Sequence, residues 1–198
     1  ALTEPDAGTN TLNTQTMAVK DHDEYVINGR KTFISGADRA KGMLLITRTT
    51  PIEKAPKRTL GLSLFLVDLP NPSIEVLPIE KHGIHYSKTC EVYLSDLRIP
   101  KENLLGEEDK GWYLILDTLN PERMSFAAAA AGIGLLAIKN AVAYAKKRNV
   151  FGVPIGSYQA LQFPLAEAKA KIEAARLLNY QAAWLYDRGQ PCGAEANM

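Results

Sequence analysis

The chain has 198 residues, of which 46% are hydrophobic and 23% charged, and its net charge at pH 7 is +1. This composition is typical of a folded globular protein; the small net charge argues against nucleic acid as a partner, and no apolar run is long enough to predict a membrane span. The two cysteines, Cys90 and Cys192, lie far apart without metal-ligand spacing, so we predict free thiols in a reducing compartment and no metal site.

The chain opens on ALTEPDAGTN, a polar segment rich in turn-forming residues. Pro5 fixes its own φ, and Gly8 permits close approach of a ligand to the backbone. Thr3 and Thr9 supply hydroxyls that can donate or accept hydrogen bonds. Two interpretations stay open for these residues alone: an ordinary surface turn, or a loop that wraps a polar ligand.

Residues 11 to about 100 read as strands. Asn28-Gly29 suits a type I′ hairpin turn between strands at 24–27 and 30–34, because both central residues of that turn need φ > 0. Further strands are predicted at 42–48, 60–68, 73–79 and 89–99, where β-branched and aromatic residues are bounded by turn formers. Strands at this spacing predict an antiparallel β-sandwich or barrel.

From about residue 107 the apolar spacing becomes helical. Pro121 either kinks the first helix or marks the meeting of two helices. A Gly/Pro-containing connection at 149–157 leads to a second long helix over 158–188, which Gly189 ends as a C-cap. The fold class is therefore α+β: a β-domain over 1–104, followed by an incomplete helical bundle over 105–198. The apolar stripe of the second helix must be covered by further chain or by partner subunits.

Candidate functional residues are sparse, because the chain has no dinucleotide-binding glycine motif, no P-loop and no G-x-S-x-G elbow. Each candidate also has an ordinary structural interpretation: Phe33 as core, Ser35 as a turn former, and Glu122 with Arg123 as solvated charges. The candidates are Thr3, Gly8, Thr9, Phe33, Ser35, Gly36, Asn120, Glu122, Arg123, Arg148, Phe151, Gly152, Tyr158 and Gln159.

The order and spacing of five segments resemble the acyl-CoA dehydrogenase family over essentially all 198 residues. These segments are LTEPDAGTN, YVINGRKTFISGA, LSDLRIPKENLLGEEDKGW, NPERMSFAAAAAGIG and AYAKKRNVFGVPIGSYQALQFPLAEA. The resemblance implies the family's middle β-domain and the first helices of its C-terminal domain. We therefore expect a helical domain before Ala1 and more helices after Met198. We expect the 198 residues alone to be inactive and to bind FAD weakly or not at all.

The resemblance also implies FAD as cofactor and a role for each matching residue. Thr3 would hydrogen-bond the flavin ring, Phe33 would lie against it, and Ser35 would offer its hydroxyl to flavin N5. Gly8 would belong to the same FAD-binding loop, and Thr9 would sit near the pyrophosphate and the thioester. Four positions depart from the family's commoner residues: Thr9 for Ser, Asn10 for Asp, Phe33 for Trp and Ser35 for Thr.

In the helical part, the resemblance places Asn120 and Arg123 at the acyl-CoA. Arg148, Phe151 and Gln159 would reach the FAD of a neighbouring subunit, which implies a homo-oligomer, a dimer or tetramer. Glu122, directly before an Arg in the first long helix, occupies one of the family's two positions for the catalytic base; the other lies beyond Met198.

The activity implied is α,β-dehydrogenation of an acyl-CoA to a trans-2-enoyl-CoA, with the α-proton taken by Glu122 and the β-hydride passed to flavin N5. Electron-transferring flavoprotein would be the acceptor, and the compartment would be the cytoplasm, or the mitochondrial matrix in a eukaryote. Two alternatives remain: an oxidase-like flavoenzyme that passes electrons to O₂, and a non-catalytic scaffold with this fold. The acyl chain's length and branching are not given by these residues.

Overall fold

The computed structural model describes all 198 residues, which form two units, Ala1–Leu116 and Asp117–Met198. The first unit contains a seven-stranded sheet in the order β5-β6-β2-β1-β3-β4-β7. Its strands are β1 (Met17–Asp21), β2 (Glu24–Ser35), β3 (Gly42–Arg48), β4 (Leu62–Asp68), β5 (Ile74–Ile79), β6 (Thr89–Pro100) and β7 (Leu104–Leu105). Every pairing is antiparallel except β1 with β3. The sheet is therefore mixed, and not wholly antiparallel as predicted. The predicted α+β class is confirmed, since long helices follow the sheet.

The sheet curls so that its two halves enclose the core. The rings of Tyr25 on β2 and Phe65 on β4 meet edge to face with centroids 4.9 Å apart. β1 and β3 lie between these strands, so a flat sheet would separate them by about 14 Å. Both side chains are at most 2% exposed and belong to one buried apolar cluster.

The predicted hairpin at Asn28-Gly29 is wrong, because both residues lie inside β2. The turn between β1 and β2 is at His22 and Asp23 instead. The Asn28 amide exchanges two hydrogen bonds with Asp96, of 3.0 and 2.8 Å, at a bulge in β6. Gly29 is required because a Cβ there would lie 2.4 Å from the Thr16 hydroxyl.

The helices follow. α1 (Gly111–Lys147) begins in the first unit and runs through Pro121 as one helix, so two helices do not meet there. The Ser125 hydroxyl donates to the Pro121 carbonyl at 2.9 Å within it. A hairpin of β8 (Asn149–Val150) and β9 (Val153–Pro154) leads to α2 (Gln159–Asp187) and the short α3 (Gly193–Asn197).

The end of α2 confirms the predicted glycine cap. Gly189 has φ +65°, and its N–H donates to the Tyr186 carbonyl at 2.9 Å. The Gln190 N–H donates to the Leu185 carbonyl at 2.9 Å. These two bonds form a Schellman motif, which satisfies carbonyls that the helix end leaves without partners.

Helix α1 corrects one expectation from the sequence. By length and composition it is long and apolar enough to cross a membrane, and its most apolar stretch is not buried. The sequence analysis predicted no membrane span because it looked for an uninterrupted apolar run, and Lys139 interrupts the run in α1. A membrane-spanning helix tolerates a few charged residues. Helices that pack in a protein core meet the same criteria of length and composition.

Candidate functional site

The opening residues bridge two strands. The Ile46 N–H of β3 donates to the Ala1 carbonyl at 3.2 Å, and the Thr32 N–H of β2 donates to the Thr3 carbonyl at 2.9 Å. A tight turn follows, in which Glu4 and Ala7 exchange two backbone hydrogen bonds of 3.2 Å. The segment is thus anchored to the sheet, and it places Thr3 one residue from Phe33 along the neighbouring strand.

Phe33 is not a core residue. It is 65% exposed and has φ +58°, a conformation that costs a bulky residue about 1–2 kcal/mol. The pairing of β2 with β6 explains this conformation: Lys31 pairs with Val92 and Ile34 with Cys90, so two residues of β2 face one of β6. The ring therefore belongs to a β-bulge, a device that re-aims side chains.

The other candidates of the first unit lie on the surface near these anchors. Ser35 ends β2 and is exposed. Gly8 and Thr9 are exposed directly after the Glu4–Ala7 turn. A Cβ at Gly8 would meet no atom within 4 Å, so packing does not explain the glycine. The structure thus places Thr3 beside the strand that carries Phe33 and Ser35.

Two buried residues of this region, Glu4 and Lys31, were missed by the sequence reasoning. Lys31 is 0% exposed and Glu4 6% exposed. The Lys31 ammonium donates to Glu4 Oε1 at 2.8 Å and to the Leu2 carbonyl at 3.1 Å. Glu4 also accepts from the Gln15 N–H at 2.7 Å and the Thr16 N–H at 3.1 Å. Strand alternation was the available signal, because it places Lys31 on the same face as Tyr25 and Ile27.

Burial and pairing act oppositely on these two groups. Burial favours a raised pKa for Glu4, but the charge of Lys31 and the hydrogen bonds outweigh it and hold the pKa below 4.5. Burial lowers the pKa of Lys31 to about 8, against the opposing effect of Glu4. Both groups are therefore mainly charged at pH 7, and the pair is ionic.

The second unit holds the candidates for acyl-CoA and the base on one stretch of α1. The Arg123 guanidinium donates to the Asn120 amide oxygen at 3.0 Å, so these two side chains lie together, one helical turn apart. Glu122 lies between them in sequence and is exposed.

The remaining candidates surround the β8–β9 hairpin. Phe151 at its tip is 94% exposed, and Phe151 and Gly152 have φ +55° and +85°. Two consecutive residues with positive φ are typical of a type I′ turn, so the turn type predicted at Asn28-Gly29 is found here instead. Arg148 precedes the hairpin, and its carbonyl accepts from the Ile155 N–H at 2.8 Å. Gln159 is the first residue of α2.

Two family models cover most of the chain. The middle domain of acyl-CoA dehydrogenase matches residues 1–97, and the C-terminal domain of acyl-CoA dehydrogenase matches residues 109–198. The chain belongs to the acyl-CoA dehydrogenase family. Because the second match includes nearly all of α1, the apolar residues of this helix lie in a recognised domain of the family.

Curated relatives agree with this assignment. The chain is 42% identical over 195 residues to a probable acyl-CoA dehydrogenase, YngJ, of Bacillus subtilis, covering 98% of the chain and 51% of YngJ. It is 38% identical over 199 residues to CarC, a subunit of the caffeyl-CoA reductase–Etf complex of Acetobacterium woodii, covering 100% and 52%. The chain thus spans about half the length of the curated relatives it matches.

Solved structures of this acyl-CoA dehydrogenase family have the same fold. Butyryl-CoA dehydrogenase from Megasphaera elsdenii superposes with a TM-score of 0.88 at 38% identity, over 98% of this chain and 50% of that one. PigA with FAD and proline superposes with a TM-score of 0.90 at 30% identity, over 99% and 50%. A relative with this fold therefore binds FAD.

Proposed function

We propose that this chain supplies the flavin-binding wall and the catalytic base of an FAD-dependent enzyme that converts an acyl-CoA to a trans-2-enoyl-CoA. The observation that carries the proposal is the bulge at Phe33, which holds an aromatic ring out of the sheet beside the anchored Thr3. Family membership supplies the reaction class. The experiments below refer to the whole enzyme that contains these residues.

The residues of the first unit fit a flavin. An exposed phenyl ring can pack against the flat ring system of a flavin. Hydroxyl groups can form hydrogen bonds with the nitrogen and oxygen atoms of that ring system. Phe33 supplies the ring, and Thr3 and Ser35 supply the hydroxyls, with Gly8 and Thr9 in the adjoining loop. FAD, when bound, would supply the hydride acceptor, a chemistry that side chains lack.

Glu122 is the proposed base. The α-proton beside a thioester is weakly acidic, so its removal needs a carboxylate within hydrogen-bond reach of the proton. Arg123 and Asn120 lie on the same stretch of α1 and would hold the acyl-CoA. Exclusion of water around the carboxylate would raise its basicity when substrate binds.

Replacement of Glu122 by Gln tests this role. We expect the rate of flavin reduction by an acyl-CoA to fall by about 10²–10⁴-fold, the usual effect of losing a positioned base. Asp117→Asn is the matched control, since Asp117 is another exposed acid of α1, and it should leave the rate unchanged. Near-normal reduction in Glu122→Gln would assign the base to the family's other position, beyond Met198.

We also propose a homo-oligomer in which Arg148, Phe151 and Gln159 contact the FAD of a neighbouring subunit. An aromatic residue 94% exposed at a hairpin tip supports this, because it contributes nothing to the core of its own unit. Light scattering of the whole enzyme should give a dimer or tetramer. Phe151→Ala should weaken FAD binding without changing the unfolding midpoint.

Electron-transferring flavoprotein is the proposed acceptor, and the relation to an Etf-complex subunit supports it. The enzyme reduced by acyl-CoA should be reoxidised quickly by electron-transferring flavoprotein and slowly by air; the reverse order would identify an oxidase. We place the protein in the cytoplasm, or the mitochondrial matrix in a eukaryote. Its two cysteines are buried and free, as in a reducing compartment.

A further inference from the structure

We propose that Glu4 and Lys31 are positioning residues that fix the opening segment on β2 and so set the spacing between Thr3 and Phe33. This inference rests on the proposed function, in which those two residues contact the flavin. Lys31 is 0% exposed and Glu4 6% exposed, so neither side chain offers a surface to a ligand. The pair acts through the backbone of the residues that contact the flavin.

Apart from its backbone hydrogen bonds to β2 and β3, the opening segment has few contacts of its own that could fix it. Among residues 1–10 only Glu4 and Ala7 are buried, at 6% and 1% exposed. Apolar packing of the segment is therefore limited to Ala7 and to Ala1, which is partly buried against the core. The Glu4 carboxylate instead gathers the N–H groups of Gln15 and Thr16 and the ammonium of Lys31 into one cluster.

The hydrogen bonds of the cluster lie directly beside Thr3 and Phe33, the two residues proposed to contact the flavin. Lys31 also donates to the Leu2 carbonyl at 3.1 Å, and the next residue, Thr32, donates its N–H to the Thr3 carbonyl at 2.9 Å. Two consecutive residues of β2 thus hold two consecutive residues of the opening segment. Phe33 follows at once, so any shift of the segment changes its position relative to the ring.

A stabilising role alone does not require charges. Buried ion pairs are often no more stable than apolar residues of similar volume, because burial removes both ions from water. The double variant Glu4→Met/Lys31→Met distinguishes stabilisation of the fold from positioning of the opening segment. It should recover much of the unfolding midpoint that Glu4→Gln loses, yet leave the Leu2 carbonyl and the Gln15 and Thr16 N–H groups without their partners.

Hydrogen exchange of the protein without FAD is the first test. In Glu4→Gln and in the double variant we expect the Gln15, Thr16 and Thr32 amides to exchange at least about tenfold faster, relative to amides of the β3–β4 ladder. Tyr25→Phe is the control: it removes a 2.8 Å hydrogen bond to Glu108 from the same strand. It should lower the midpoint and leave those three amides unchanged. Wild-type protection in both Glu4 variants would overturn the proposal.

The second test uses the whole enzyme with FAD. The double variant should show a shifted flavin absorbance spectrum and a kcat at least tenfold lower, with KM for acyl-CoA within about twofold of wild type. An unchanged spectrum and kcat would refute the inference and leave the proposed function intact. Failure of the wild type to bind FAD would refute the proposed function, and the exchange experiment would still decide whether the pair anchors the segment. If the double variant does not fold, Glu4→Gln alone decides both tests.

Discussion

The variant Phe33→Gly tests whether the Phe33 ring belongs to the hydrophobic core or serves a function at the surface. Because the side chain is 65% exposed, only about a third of it is buried. That is about 70 Å² of a phenyl group of about 200 Å², and its loss costs at most about 1.8 kcal/mol of unfolding free energy. Glycine adopts the φ of +58° without the penalty of about 1 kcal/mol that Phe incurs. The net loss should be below about 1 kcal/mol.

Phe65→Ala provides the comparison, since Phe65 is 0% exposed in the same sheet. Truncation of a fully buried Phe typically costs about 3–5 kcal/mol. Urea unfolding followed by fluorescence at pH 7 measures both losses under the same conditions. In the whole enzyme, Phe33→Gly should weaken FAD binding about five- to tenfold, because an aromatic contact is worth about 1 kcal/mol.

The reasoning would be refuted if Phe33→Gly cost about 3 kcal/mol or more, because the ring would then be part of the core. Unchanged FAD affinity would refute the assignment of Phe33 to the flavin while leaving the account of the bulge untouched. Phe33→Tyr retains a ring and should bind FAD as the wild type does, so it controls for disturbance of the bulge.

Three further predictions concern stability. Gly111→Ala should cost about 2–3 kcal/mol in urea unfolding, because its Cβ would lie 2.6 Å from backbone atoms of Ser63 and Leu64; a loss below about 0.5 kcal/mol would contradict this. Gly189→Ala should cost about 1 kcal/mol through its φ of +65° alone, since its Cβ would meet no atom within 4 Å, and a stabilised variant would contradict the cap. The lowered pKa of Glu4 means that its stabilising effect is present above its ordinary pKa and is lost as the pH falls through the lowered value. Between pH 6 and about pH 3 the wild type should therefore lose more stability than Glu4→Gln, and parallel pH profiles would exclude this role.

Much of the fold could be predicted from local pattern. The strand at 42–48 has the bounds of β3, because its apolar run is closed by Gly42 and by a polar loop. The end of α2 was predicted from Gly189, since a left-handed cap needs a residue without Cβ. Both features depend on residues that are neighbours in sequence, so they could be predicted from local pattern.

The features that were predicted wrongly or missed depend on contacts between residues far apart in sequence. Asn28-Gly29 has the chemistry of a tight turn, but its conformation is decided by Thr16, just before β1, and by Asp96 of β6. The bulge at Phe33 depends on the register with β6, which no local pattern specifies. The Glu4–Lys31 pair joins residues 27 positions apart. Sequence reasoning named the residues of the opening segment and missed what anchors them.

The bulge in β2 has a consequence for how this strand can vary in length. Thr32 and Phe33 face a single residue of β6, while Lys31 pairs with Val92, Ile34 with Cys90 and Ser35 with Thr89. Deleting Phe33 would leave those three pairs in register and return the ladder to regular spacing. A single codon can therefore add or remove the aromatic ring while the rest of the strand keeps its partners.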